Sequence, residues 1–314
     1  MTEEKKKWAV IANPKSGTRR YFRRRVSVED CLKDAGLDVD FVFSEYPGHA
    51  GVLAKDFIEN KGVRHIIVVG GDGTVSEVIH GIFSSSVDPR EILFAVIPAG
   101  TGNDWSRYWG IKRSLKRSIA VIQKGNTRFI DVGKLVFHKK REPIEKYFIN
   151  SVGIGYDAQV VQYAETIGHF LHGRSWVYSF AVIAGAVMHS SKKLRLEADG
   201  GRYSFEDKVY SMSIANGPYT GGGIKQTPQA SPLDGKFDVM AVVRPSFFHL
   251  MAALYRLFRT NLQEESCVKY FRAEKLSITT TKRHKVEADG ILLHEAKGPD
   301  ELTILPQAIK MMVP

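Results

Sequence analysis

Cysteine is almost missing from this chain. Cys31 and Cys267 are the two among 314 residues, and they lie far apart in sequence. That usage predicts reduced thiols rather than a disulfide framework or paired metal ligands, and argues against redox chemistry. Long apolar runs are missing too. A membrane-spanning helix needs about eighteen or more consecutive apolar residues, and the best candidate, Trp176 to Met188, is shorter. The opening Met1-Thr2-Glu3-Glu4-Lys5-Lys6-Lys7 has no apolar core of a secretory leader, so a cytoplasmic chain is expected. Zinc-finger spacing, an RNA-binding signature and a basic helix with heptads are all absent, which sets nucleic acid aside as a partner. No Gly-x-Gly-x-x-Gly opens the first strand-to-helix turn, which argues against a dinucleotide-binding fold.

Positive charge is abundant. Forty-five Lys and Arg against 34 Asp and Glu give a formal charge of +11, with a pI near 9.5. An anionic partner follows, either a nucleotide or an acidic membrane surface. The basic residues cluster at Arg19, Arg20, Arg23, Arg24 and Arg25 and again at Lys112, Arg113, Lys116 and Arg117. Each cluster is either a solvated helix face or a membrane or phosphate contact. With 43% hydrophobic residues the chain can supply cores for two domains.

Periodicity divides the chain. Strands are expected at Trp8 to Asn13, Leu37 to Phe43, His65 to Val69 and Leu93 to Ile97. Helices are expected at Tyr21 to Ala35, Gly51 to Lys61 and after the glycine loop to about Phe83. This alternation predicts an α/β domain with a doubly wound, mostly parallel sheet, whose ligands bind beyond the carboxyl ends of the strands. After Arg128 strands dominate: Phe129 to Phe137, Tyr147 to Gly153, Leu194 to Ala198, Lys208 to Asn216, Phe237 to Val243, Lys275 to Thr281 and Leu302 to Leu305. Helical stretches at about Ala158 to Ile167, Ser175 to Ser190 and Phe247 to Asn261 interrupt them. The expected division is residues 1–128, α/β, and 129–314, mainly β, with a return of the C-terminal tail to the first domain left open.

Gly70-Gly71-Asp72-Gly73-Thr74 lies between a β-branched run and a helical pattern, and reads as a phosphate loop. Asp72 must act there through Mg²⁺, water or a hydroxyl, because a carboxylate repels bare phosphate. Asn13-Pro14-Lys15-Ser16-Gly17 and Pro98-Ala99-Gly100-Thr101-Gly102-Asn103-Asp104 follow two other strands. Either alone reads equally as a turn with a helix cap.

The three loops in this order resemble the catalytic domain of the diacylglycerol kinase and sphingosine kinase superfamily, most closely its bacterial soluble lipid kinases. Asn150-Ser151-Val152-Gly153-Ile154-Gly155-Tyr156-Asp157, Ser231-Pro232-Leu233-Asp234-Gly235-Lys236-Phe237-Asp238 and Ala288-Asp289-Gly290 extend the resemblance across nearly the whole chain. It implies a nucleotide-binding α/β domain and a β-sandwich-like domain with the active site between them. It further implies ATP bound by Asn13, Pro14, Lys15, Ser16, Gly17, Gly71, Asp72, Gly73, Thr74, Val75, Ser76, Glu77 and Thr101, with Ser44 where the family often has a nucleotide-contacting Thr. Asp289 takes the family's general-base position, which suits a lipid hydroxyl that must lose its proton as the γ-phosphoryl group transfers. A catalytic Mg²⁺ would be organised by Asp72 and Asp104, directly or through water. A structural Mg²⁺ would take the Asp234 carboxylate and the Ser231 and Lys236 carbonyls, where the residues alone suggest only a turn.

One position departs from the family: Ile291 follows Asp289-Gly290 where a Glu is usual. Glu287 and Glu295 are the nearby carboxylates, and strand alternation puts Glu287 on the face of Asp289 while leaving solvent exposure open. Phe247 to Arg259 is apolar at helical spacing, either packed on the β domain or lying on a membrane. His169, His172 and His189 show no metal spacing, and Gly221-Gly222-Gly223 reads as a mobile loop beside the acceptor. The expectation is an ATP-dependent kinase acting on diacylglycerol or a related lipid, cytoplasmic and peripheral at the inner face of the membrane. Monomer and homodimer are both compatible with the sequence. An NAD kinase-like or other soluble-substrate kinase and a non-catalytic nucleotide or lipid sensor are the alternatives.

Overall fold

The computed structural model describes residues 7–16, 28–139, 142–170, 185–186, 188–259, 261–280, 283–296 and 299–314. Gly17, the Arg19 to Arg25 cluster and most of the helix expected at Ser175 to Ser190 lie outside the described residues. The chain divides into two compact units. Unit 1 holds residues 1–132, 221–223 and 306–314, and unit 2 holds residues 133–220 and 224–305.

In unit 1, strands β1 (Lys7–Ala12), β2 (Asp38–Phe43), β3 (His65–Gly70) and β4 (Leu93–Pro98) form a parallel sheet. The end of β15 (Asp300–Met312) extends it, with Lys310 and Met311 registered parallel to Leu93 and Phe94. The strand order is therefore β15-β4-β3-β1-β2. β1, β3 and β4 are buried at five successive residues each, the signature of strands covered on both faces. On one face Val10, Ala12, Ile67, Val69, Ala95 and Ile97 pack with Val28 and Leu32 of α1 (Val28–Asp34) and Ile119 and Ile122 of α5 (Leu115–Lys124). The equally buried alternate residues, Ala9, Ile11, Ile66, Val68, Phe94 and Val96, point to the other face. α2 (His49–Glu59) and α3 (Asp72–Phe83) pack there, against β1 and β3 respectively. α5 is not among the helices expected from periodicity, although a solvated helix face is one of the two readings given to its basic start at Lys116 and Arg117.

Unit 2 is built on β9 (Tyr203–Ala215), thirteen residues long. Its first half pairs antiparallel with β8 (Lys192–Ala198), which continues through β12 (Lys275–Thr280) to the start of β15. Its second half is flanked by β7 (Ser151–Gly155) and β10 (Phe237–Val243). β13 (His284–Ala288) and β14 (Ile291–Ala296) extend the β7 side, and β11 (Val268–Ala273) the β10 side. One strand thus pairs with three others along its length, and the inner residues of this unit form a single core that includes Phe148, Val152, Leu196, Met212, Ile214, Phe237 and Ile278. β5 (Thr127–Lys139) and β6 (Glu142–Phe148) form a hairpin in which Gly133 leaves room for the Phe148 ring. The expected strand Tyr147 to Gly153 is broken: Ile149 and Asn150 separate β6 from β7. Among the described residues, α6 (Tyr156–Phe170) and α7 (Phe247–Phe258) are the longer helices of this unit.

The α2–α3 crossing fixes where the glycine loop sits. A Cβ on Gly51 would lie 2.7 Å from the Glu77 carbonyl oxygen, and one on Gly81 only 2.1 Å from the Gly51 carbonyl oxygen. These backbones touch. Gly81→Ala is expected to destabilise the chain by about 1–3 kcal/mol through overpacking, read as a lower urea midpoint. Ser84→Ala, at the exposed end of the same helix, is expected to stay within about 0.5 kcal/mol of the parent.

Candidate active site

The loops after β1, β3 and β4 leave the same edge of the unit 1 sheet, because parallel strands end together. Asn13 starts the first loop, its N–H donating to the Val69 carbonyl at 2.9 Å. Its side chain donates from Nδ2 to Thr74 Oγ1 (3.2 Å) and accepts from the Lys15 N–H (2.9 Å), while Ser16 Oγ donates to its carbonyl (2.8 Å). Asn13 therefore ties the first loop to the second. The second and third loops also meet backbone to backbone: the Ala99 N–H donates to the Gly70 carbonyl (2.8 Å), and a Cβ on Gly100 would lie 2.5 Å from Gly71 Cα. Glycine is required at that contact.

Asp72 opens α3, and its carboxylate reaches the third loop. Oδ2 accepts from the Asp104 N–H and Oδ1 from the Trp105 N–H, both at 3.0 Å. It thereby caps the short helix α4 (Asp104–Tyr108), which follows Asn103 in the left-handed region at φ 52°. Asp104 is buried. Its Oδ2 accepts from the Gly222 N–H (2.8 Å), while Oδ1 has no hydrogen-bond partner, the Arg107 Nε lying 3.9 Å away. Burial pushes the Asp104 carboxyl above its ordinary range, and the neighbouring Asp72 charge adds to the rise against the Gly222 amide and Arg107. A cation would relieve both effects.

This arrangement fits Mg²⁺. An oxygen-only pair with one buried carboxylate oxygen that takes no hydrogen bond suits an ion that takes one or two carboxylates and fills its remaining positions with water and phosphate oxygens. Among the described residues no group of three or more His, Cys, Asp and Glu side chains is placed to hold a metal by itself.

Other nucleotide candidates occupy different positions. Pro14, Lys15 and Thr101 are exposed. Val75 and Ser76 are buried on the inner side of α3, Ser76 completely, so their side chains face the core rather than a ligand. Glu77 serves α2: its carboxylate accepts from the N–H groups of Gly48 (2.8 Å) and Ala50 (3.3 Å) at the helix start, where negative charge is favoured. Ser44 is buried at the end of β2, with its N–H on the Ala12 carbonyl. The sequence reading missed the Gly222 amide, although the triple glycine carried the signal; Gly221, Gly222 and Gly223 all have positive φ.

In unit 2, Asp289 and Gly290 form a two-residue hairpin between β13 and β14, with φ of 50° and 76° and Ala288 registered with Ile291. Asp-Gly with two positive φ values is the preferred chemistry of a type I′ turn. The Asp289 carboxylate is buried and gathers the chain between β6 and β7. Oδ2 accepts from the Ile149 N–H (3.0 Å), and Oδ1 from the N–H groups of Asn150 (2.8 Å) and Ser151 (3.0 Å). Asn216 Nδ2 donates to the Ile149 carbonyl at 2.7 Å in the same corner. The turn ends strand alternation before Asp289, so the face-sharing expected for Glu287 does not carry through. Nor does Glu287 face solvent. It is buried, its Oε2 accepting from the Gly290 N–H (2.8 Å), and burial, with Asp157 and Asp289 adding, pushes its carboxyl from 4.5 up to about 8. Asp157 is likewise raised by burial, against hydrogen bonds from Ser211 Oγ (2.7 Å) and Gln226 Nε2 (3.1 Å). Gly153 makes room for both groups, since a Cβ there would lie 2.4 Å from Glu287 Oε1 and 2.8 Å from Asp157 Cβ. The side chain of Glu295 lies outside the described residues.

Asp234 precedes β10 in a turn. Its carboxylate accepts from the Lys236 N–H (3.2 Å) and pairs with the Arg272 guanidinium. Ser231 begins this turn, and Arg272 also reaches Asp238 at 3.5 Å. The turn that the residues alone suggest is present, and it leads into β10.

The sequence profile of the diacylglycerol kinase catalytic domain matches residues 7–135. That of the YegS C-terminal NAD kinase beta sandwich-like domain matches residues 150–313. The protein named "Putative lipid kinase YtlR" of Bacillus subtilis (strain 168) is 30% identical over 294 residues, covering 91% of this chain and 93% of that protein. A diacylglycerol kinase of the same organism is 26% identical over 295 residues, covering 91% and 89%. Among solved structures, one titled as a diacylglycerol kinase from Bacillus anthracis str. Sterne superimposes with a TM-score of 0.69 at 22% identity, covering 98% of this chain and 97% of that one. The parallel sheet with its three loops, the β-sandwich-like second unit and these matches agree, and the chain belongs to the diacylglycerol kinase-like lipid kinase family, whose members are ATP-using kinases.

Proposed function

We propose that this protein is an ATP-dependent lipid kinase that transfers the γ-phosphoryl group to a hydroxyl of diacylglycerol or a related lipid, working in the cytoplasm at the inner face of the membrane. The observation that carries the reading is the Asp72–Asp104 pair at the carboxyl edge of a parallel sheet, with Asp104 Oδ1 buried and lacking a hydrogen-bond partner. Backbone groups of the loops after β1 and β3, from Asn13 to Ser16 and Gly71 to Thr74, cradle the phosphates. Asp104, with Asp72 acting through the amides and water around it, holds Mg²⁺. When bound there, Mg²⁺ would supply positive charge against the phosphate groups of the nucleotide. Asp289 accepts the proton of the lipid hydroxyl. Asp234 takes no metal in this proposal, because the Arg272 guanidinium already supplies its countercharge. Among the described residues no helix is long and apolar enough to cross a membrane, which agrees with a peripheral mode of action.

Purified protein with Mg·ATP and mixed micelles of a lipid extract is expected to yield a phosphorylated lipid, identified by mass. Phosphorylation of NAD without lipid would overturn the choice of acceptor, and tight ATP binding with no transfer to any lipid would turn the reading toward a sensor. Asp104→Asn keeps an oxygen for the Gly222 amide and removes a carboxyl that burial disfavours. The apparent KM for Mg²⁺ is expected to rise at least about tenfold while the unfolding midpoint holds or increases, as metal titrations and urea curves will show.

Asp289→Asn is expected to lower kcat by about 10²- to 10⁴-fold. It also costs about 1–3 kcal/mol of stability, because an amide nitrogen faces backbone donors that the carboxylate served. ATP affinity, measured separately, should stay within about twofold if the base role is correct.

Glu287 gives the pH dependence. Its carboxyl titrates higher in the fold than in the unfolded chain, so its contribution to stability is full below about 4.5 and is lost as the pH rises toward about 8. Glu287→Gln cannot ionise and still offers an oxygen to Gly290. It is expected to be more stable than the parent at pH 8.5 by at least about 1.4 kcal/mol, a tenfold change in the folding equilibrium, with the difference closing toward pH 5 in urea titrations.

A further inference from the structure

α7 departs from the pattern of a surface helix. Leu250, Ala253 and Leu257 face inward onto Val242, Met240 and Leu262, as one stripe of such a helix should. The opposite side ought to be polar. Instead it carries Phe248, 81% exposed, and Tyr255, 62% exposed, with the partly buried Met251 beside them; Phe247, on the flank, is 56% exposed. Fraying does not explain this exposure. Ser246 caps the helix start through a reciprocal bond pair with His249, and the Phe247 and Phe248 rings meet edge to face at 5.9 Å. A helix apolar on both faces belongs in a core or against a nonpolar phase.

Charge selects the partner. Asp207 is paired with Arg244, and Glu264 and Glu265 are paired with Arg256. Arg259 lies on the exposed apolar side, stacked 5.3 Å over the Tyr255 ring, and Lys208 and Lys269 add positive charge beside Asp207. A second copy of the same face would bring Arg259 against a like-charged surface. A bilayer with anionic headgroups satisfies both features: aromatic rings enter the acyl boundary while the guanidinium stays at headgroup level.

We propose that the outer face of α7, with Phe247, Phe248, Met251, Tyr255 and Arg259, docks the protein on an anionic lipid bilayer. The choice of a bilayer rests on the lipid-acceptor reading, and the test is made without turnover so that the two fail separately. The full chain is sedimented with phosphatidylcholine vesicles carrying phosphatidylglycerol and with pure phosphatidylcholine vesicles, in the absence of ATP. Binding is expected to the anionic vesicles, weakened by salt. Phe248→Ser combined with Tyr255→Ser is expected to lower the partition coefficient at least tenfold, leaving ATP affinity, the urea midpoint and turnover on a dispersed short-chain diacylglycerol unchanged. Undiminished vesicle binding by that variant would sink the proposal. So would a concentration-dependent dimer of the parent, seen by size exclusion, that the same substitutions dissolve. Vesicle binding without lipid phosphorylation would leave the docking face standing and remove the lipid-kinase reading, whereas turnover on the short-chain lipid without vesicle binding would do the reverse.

Discussion

The carboxylate of Asp72 is the fixed point of unit 1. Backbone loops do not converge by themselves, since each leaves its strand with its own conformational freedom, and ordering them costs about 1–2 kcal/mol per residue. Asp72 offsets part of that cost by accepting two N–H groups from the start of α4, so the loops after β3 and β4 share a single hydrogen-bonded centre. Asn13 adds the β1 loop through Thr74. The glycines at 71 and 100 allow the backbones to meet without a side chain between them. Asp104 is thereby held in a buried place where its own charge is disfavoured, only partly offset by the Gly222 amide and Arg107. Structural and chemical roles are divided between two aspartates: one oriented by amides, the other left with an oxygen to give.

Unit 2 uses the same device with the opposite emphasis. Asp289 accepts three backbone N–H groups across a break between strands, so it holds the β6–β7 corner as firmly as Asp72 holds α4. Its position in a type I′ turn, at positive φ, aims the carboxylate back over that corner rather than along the strand face. Hydrogen-bonded on both oxygens, the group is oriented before any substrate arrives, and orientation is what a positioned base contributes. The stability of the turn and the proposed chemistry therefore draw on the same atoms.

What was legible in the sequence follows from how locally each feature is encoded. β-Branched runs such as Ile66 to Val69 and Phe237 to Val243 announce strands because both of their faces are buried. Asp289-Gly290 and the three glycine-bearing loops announce themselves because few residues tolerate those backbones. Non-local features were hidden. Nothing in Glu77 signals that it caps a helix starting 28 residues earlier, and the triple glycine around Gly222 marks an unusual backbone without indicating that its amide is donated to Asp104. The long β9 looked like a strand from Lys208 onward because its first half alternates with exposed polar residues, whereas the second half is buried throughout. β13 and β14 went unread for a related reason: charged residues in His284 to Glu287 mask a segment whose carboxyl is buried neutral rather than solvated.

Ile291 then acquires a physical context. It opens β14 directly across from Ala288, one residue beyond the turn that carries Asp289. A second carboxylate at that position would add negative charge beside a hairpin already holding Asp289 and Glu287, with Asp157 close by. Burial and two neighbouring carboxylates all oppose the Glu287 charge and push its carboxyl up to about 8, so this crowding favours the neutral form. An apolar residue at 291 and a neutral acid at 287 act in the same direction: each reduces the negative charge facing Asp289. For the base role proposed for Asp289, fewer competing anions nearby mean less repulsion toward a phosphoryl group that is itself strongly negative. On this argument Ile291 is compatible with the phosphoryl transfer proposed above, in which Asp72 and Asp104 rather than the hairpin are the proposed metal-organising pair.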